Sequence, residues 1–135
     1  MDEITVHIET DVKPTESEEK VKKALWNLFG NVSTETKPVH KGSVLTAEAK
    51  GQGALDRLRS ILSRDRIRDA ARKALLGDLR GDTLTFYLNK QVAFAGHVSF
   101  SEAEAESPLG PIRVTIQSEN PRELVDWLAP RTAET

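Results

Sequence analysis

Four arginines in the middle of the chain stand at spacings that suit a row of phosphates. Arg64, Arg68 and Arg72 recur at i, i+4 and i+8, and Arg57 extends the series upstream. On one helix such positions form a ridge with guanidinium groups roughly 6 Å apart, comparable to phosphate spacing along a nucleic-acid strand. The planar fork of N–H donors matches phosphate oxygens two at a time. Charge balance singles out the same stretch: residues 50–90 hold ten Lys/Arg against five Asp/Glu, whereas residues 1–49 hold six against nine and residues 91–135 three against seven. A surface that tracks a phosphodiester backbone is one reading. A second is a solvated or internally paired helix face, since Asp65 and Asp69 lie within reach of Arg68, Arg72 and Lys73. A third is an acidic protein partner.

A second set of candidate contacts lies further on. Thr83 to Leu88 alternates polar and apolar residues, meets Asn89 and Lys90, and is followed by the apolar-rich run Gln91 to Phe100. That pattern predicts a hairpin over residues 84–100 with Asn89, Lys90 and Gln91 at a polar tip that could touch RNA. Tyr87, on the side opposite Phe86, is the candidate for stacking a base, whereas Phe86, Phe94 and Phe100 are expected in the core.

Catalytic chemistry finds little support. His7, His40 and His97 fall in separate elements without HxH or HExxH spacing, so no metal-ligating or general-base pair is indicated. Gly51-Gln52-Gly53 lacks the Lys-Ser/Thr of a nucleotide-binding loop, and there is no GxSxG elbow. Glu102, Glu104 and Glu106 alternate, but without the Asp/Asn/Gly pattern of a calcium loop they read as a solvated acidic segment. No cofactor or metal is expected, and an enzyme is the least favoured class.

The elements that must position these residues follow from periodicity and punctuation. Ile4, Val6 and Ile8 alternate with Thr5, His7 and Glu9 as in a strand with one face in a core. Thr15 and Glu18 form a capping-box pattern for a helix over residues 16–29, whose stripe is Val21, Ala24, Leu25, Leu28 and Phe29. Val32 to Lys37 and Val44 to Lys50 read as a hairpin. Leu55, Leu58, Ile61 and Leu62 share one helical face, while Ile67, Ala70, Ala71, Ala74 and Leu75 share one roughly opposite, so the spacing predicts two helices with a junction near residues 63–65. Ile112, Val114 and Ile116 make a last strand, and Pro121 opens a last helix that Pro130 stops. Residues 131–135 are expected as a frayed tail.

This order, β-α-β-β-α-α-β-β-β-α, implies a single α+β domain over residues 1–135: a sandwich of a largely antiparallel sheet with helices on one face. Thr5, Thr85, Tyr87 and His97 are expected on the other face, solvated or covered by a partner. At 135 residues and 15.0 kDa, with 38% hydrophobic and 30% charged residues, the chain can bury a real core. It has no cysteine, no signal-peptide pattern at its acidic start and no apolar run near the roughly 18 residues of a membrane span. A cytoplasmic location is expected.

The blocks KPTESEEKVKKALWNLF (13–29), RLRSILSRDRIRDAAR (57–72), TFYLNKQVAFAGHVSF (85–100), PLGPI (108–112) and DWLAPRT (126–132), in this order, resemble archaeal uncharacterised protein family 0201. The resemblance runs from about Ile4 to Thr132. It implies a ribosomal-protein-L5-like α+β fold and membership of a group predicted to be RNA-binding and exosome-associated, with no catalytic residues to carry over. RNA is thus the expected partner, contacted by Arg57, Arg64, Arg68, Arg72, Asn89, Lys90 and Gln91. The alternative is an interaction or assembly module, as a homodimer or a subunit of an RNA-processing complex.

Overall fold

The computed structural model describes residues 3–102 and 110–131. Strand β1 (Ile4–Val12) buries Ile4, Val6, Ile8, Thr10 and Val12 and leaves Thr5, His7 and Glu9 half-buried on its other side. Helix α1 (Glu18–Phe29) buries the expected stripe, Val21, Ala24, Leu25, Leu28 and Phe29. Each such leucine is worth about 1.5–3 kcal/mol. Its cap differs from the expectation: Ser17, not Thr15, accepts from the Lys20 N–H, at 3.4 Å, and the helix begins two residues later. The reason is that the Glu16 carboxylate is drawn inward, accepting from the Lys13 N–H at 2.9 Å.

Strands β2 (Thr34–Pro38) and β3 (Ser43–Lys50) form the expected hairpin, with Thr36 opposite Leu45. A 3-10 turn, Gln52–Leu55, leads into α2 (Asp56–Arg64) and then α3 (Arg68–Gly77). The predicted junction lies here. Leu58, Ile61 and Leu62 are buried from α2, Ala71 and Leu75 from α3, and Arg66 at φ 57° swings the chain between the two faces.

Beyond it come β4 (Leu79–Arg80), β5 (Thr83–Asn89), the short helix α4 (Lys90–Phe94), β6 (Phe100–Ser101), β7 (Pro111–Ser118) and α5 (Pro121–Leu128). The predicted hairpin over 84–100 is therefore corrected. The Asn89 side chain accepts from the Val92 N–H at 2.9 Å and caps a helix, so the chain leaves the sheet at Lys90 and pairs with β5 again only at Phe100 and Ser101. Only Ala93 and Lys90 of α4 are buried; Phe94 is 44% exposed instead of joining the core, and His97 lies off the sheet. Phe86 and Phe100 do pack together, with ring centroids 6.0 Å apart.

Among the described residues the sheet has seven strands in the order β2-β3-β1-β7-β5-β4, with β6 also on β5, and every pair is antiparallel. The fold is α+β. Buried residues of α1 to α5 join one core with Leu84, Phe86, Leu88, Ile112, Val114 and Ile116. By register, the opposite face of the sheet carries Thr5, Thr46, Thr83, Thr85, Tyr87 and Thr115, with Arg113 reaching Glu9 at 2.7 Å. No helix among the described residues is long and apolar enough to cross a membrane. Glu104, Glu106 and residues 132–135 lie outside the described residues.

Candidate nucleic-acid interface

The arginine ridge does not form. The left-handed turn at Arg66 ends one helix at Arg64 and starts another at Arg68, so the i, i+4, i+8 series is not continuous. Arg72 turns to α5: its Nη1 donates to Asp126 Oδ1 at 2.8 Å and to the Ala129 carbonyl at 3.1 Å, and its side chain is 14% exposed. It clamps two helices together. Arg68 is half-buried at the start of α3. Arg57 and Arg64 remain together on the exposed side of α2.

The hairpin-tip expectation is also revised. Asn89 is the cap of α4, and Lys90 is 5% exposed, its Nζ donating to the Asp11 carbonyl at 2.6 Å and to Glu16 Oε1 at 3.0 Å. Of the three, Gln91 is exposed. Tyr87 is half-buried on the open sheet face, opposite Arg113 on β7.

What the helices bring together instead is a set of rings and cations. Trp26, on α1, is 43% exposed; the Arg57 guanidinium lies 4.2 Å from its ring and Lys23 Nζ 4.9 Å. Phe94, on α4, has Lys20 Nζ at 6.0 Å. Asn27 ties the two helices, donating through Nδ2 to the carbonyls of Ala93 at 3.1 Å and Phe94 at 3.0 Å. Between them and α2 is a shallow pocket of about 390 Å³, lined by Asn27, Asp56, Arg57, Ser60, Arg64 and Gly96. Cations interleaved with exposed aromatic rings can hold phosphates and stack bases. The sequence carried a signal for Trp26, which falls off the apolar stripe of α1 among Lys20, Lys22 and Lys23. It carried none for Phe94, because the apolar run around it reads equally as strand.

Arg64 closes this surface. Its Nε donates to Asp65 Oδ1 at 2.9 Å and its Nη2 to the Gly96 carbonyl at 2.7 Å, while His97 Nδ1 sits 2.8 Å from Asp65 Oδ2. The bonds from Arg64 and then His97 hold the Asp65 carboxyl at about 2, below its ordinary 3.8, and the same pairing raises Arg64. Because the folded value is depressed, the contact contributes fully above the ordinary carboxylate value and is lost as pH falls through about 2. A carboxyl-detected NMR titration should give that low midpoint for Asp65; one near 4 would show that Arg64 and His97 do not grip it. Among the described residues no group of three His, Cys, Asp or Glu is placed to hold a metal ion.

A family model described as RNA binding matches residues 5–118. The UPF0201 protein of Sulfurisphaera tokodaii is 44% identical over 127 residues, covering 94% of this chain and 88% of its own. That of Aeropyrum pernix is 42% identical over 130 residues, covering 96% and 87%. The crystal structure of the UPF0201 protein from Methanococcus jannaschii superposes with a TM-score of 0.84 at 31% identity, over 95% of this chain and 94% of that one. With the α+β fold and near-complete coverage in sequence and in structure, the chain belongs to the archaeal UPF0201 family, within the wider family described as RNA binding.

Proposed function

We propose that this chain binds RNA without catalysing a reaction, through the helical face formed by α1, α2 and α4. The observation that carries the reading is the exposure of Trp26 on α1 and Phe94 on α4, each beneath a cation. Lys20, Lys23 and Arg57 would take phosphates, and the two rings would take bases as their cations swing aside to the backbone. The family's description as RNA binding supports the same partner. In this reading the chain works in the cytoplasm as a subunit of an RNA-processing assembly such as the exosome. The polar, threonine-rich sheet face on the opposite side is then the surface left for protein contact.

Fluorescence anisotropy with a labelled single-stranded RNA tests the reading. Affinity should fall steeply between 50 and 200 mM salt, by about tenfold for every few phosphates neutralised. Trp26→Ala with Phe94→Ala should lose about 1–3 kcal/mol per base no longer stacked, and Arg57→Ala should lower the salt slope by about one. Lys37→Ala, on the edge strand β2, is the control. Absence of binding at low salt, or a double variant that binds like the parent, would overturn the proposal.

A further inference from the structure

Beside the aromatic face, and sharing Ser60 and Arg64 with it, lies a second pocket of about 360 Å³. Its polar lining is Arg59, Ser60, Ser63, Arg64 and Arg68; Leu128 and Pro130 close the apolar side. Residues 59, 60, 63 and 64 lie on one face of α2, two turns long, and the turn at Arg66 folds the first residue of α3 back against them. Among the described residues no carboxylate lines this pocket.

Two of the three arginines are fixed from behind. Arg59 donates through Nε to the Trp127 carbonyl at 2.9 Å and lies 5.0 Å from the indole ring, which leaves its two terminal nitrogens free of that bond. Arg64 is held by Asp65 and by the Gly96 carbonyl, so its charge is already matched. Arg68 Nε is buried with no hydrogen-bond partner among the described residues, a costly state for a charged donor unless an acceptor reaches the same guanidinium. Neither Arg59 nor Arg68 has an acidic partner among the described residues. Two guanidinium groups without an acidic partner among the described residues, in a concave site with two hydroxyls beside them, match an acceptor-only group of nearly two negative charges. A phosphate monoester has that charge near neutral pH, whereas an internal phosphodiester has one.

We propose that the pocket of Arg59, Ser63 and Arg68 holds the terminal phosphate monoester of an RNA strand laid along the Trp26 and Phe94 face. This rests on the RNA-binding reading above and adds an end specificity to it. Pre-positioned forked donors give the site its preference for a group with three free oxygens.

The test compares three oligonucleotides of one sequence by anisotropy: one with a 5′-phosphate, one with a 3′-phosphate and one with hydroxyls at both ends. One phosphorylated form should bind about tenfold to a hundredfold more tightly than the hydroxyl form, the effect of one or two charge-assisted hydrogen bonds. In Arg68→Gln, and independently in Ser63→Glu, which places a carboxylate in the pocket from an exposed helical position, the ratio should fall to about one. Inorganic phosphate should compete with the favoured strand and leave the hydroxyl-ended strand bound. Circular dichroism melts establish that each variant is folded. Equal affinity for all three strands would overturn the end-specific site and leave RNA binding standing; no binding of any strand would overturn both.

Discussion

Replacing Lys90 with methionine is expected to destabilise the fold by about 3–5 kcal/mol, the cost of stripping a buried ion of its partner. The Lys90 and Glu16 side chains are 5% and 9% exposed, and the ammonium lies 3.0 Å from the carboxylate and 2.6 Å from the Asp11 carbonyl. These contacts join the end of β1, the entrance of α1 and the start of α4. Methionine fills similar space yet leaves Glu16, among the described residues, with the Lys13 N–H alone, at 2.9 Å. Because the penalty comes from the orphaned carboxylate, the double variant Lys90→Met with Glu16→Gln should recover a large part of the loss. Urea unfolding with an unchanged denaturant slope is the measurement. A loss under about 1 kcal/mol for the single variant would show that water reaches Glu16 and that the pair is not buried in solution.

Gly42→Ala is the second large effect. Gly42 sits at φ 97°, and an added Cβ would come 2.2 Å from the Val12 carbonyl oxygen, an atom of the backbone that cannot move without disturbing β1. Steric overlap adds to the left-handed strain, for a loss of about 3 kcal/mol or more. Gly81 is the contrast. It has φ 61° with nothing within 4 Å of an added Cβ, and Asn tolerates that conformation, so Gly81→Asn should cost less than about 1 kcal/mol. Thermal or urea denaturation of the two variants side by side decides it. Equal losses would mean that backbone conformation, and not contact with Val12, sets the cost.

Much of this architecture can be read from residue order because the reporting residues are half-buried on regular elements. The alternation of Ile4, Val6 and Ile8, the stripe of α1 and the opposed faces of residues 55–62 and 67–75 each have one way to bury their apolar atoms. The failures share a cause. Residues 91–100 are apolar enough for either strand or helix, and the decision falls to one side-chain bond, donated by the Val92 N–H to Asn89 Oδ1. At the candidate site, the i, i+4 spacing of Arg64, Arg68 and Arg72 had meaning only on an unbroken helix, and the same break that pattern analysis places near residues 63–65 separates them. Arg57 and Arg64 stay on the exposed face because α2 carries both. The pairing of Trp26 with Arg57 joins residues 31 positions apart, and the burial of Lys90 against Glu16 spans 74. Local periodicity does not report contacts of that kind.

Strand β7 lies between β1 and β5 and hydrogen-bonds to both. During synthesis, residues 4–50 can assemble β1, β2, β3 and α1 into one half-sheet, and residues 79–101 a second, but neither has its inner neighbour until residue 118 has cleared the ribosome. Each half meanwhile shows a row of unpaired amides, open to any other nascent chain. The contacts that end this interval are among the most distant in sequence, Ile4 with Ser118 and Thr10 with Ile112, and pairings so far apart carry the largest loop-closure cost in the sheet.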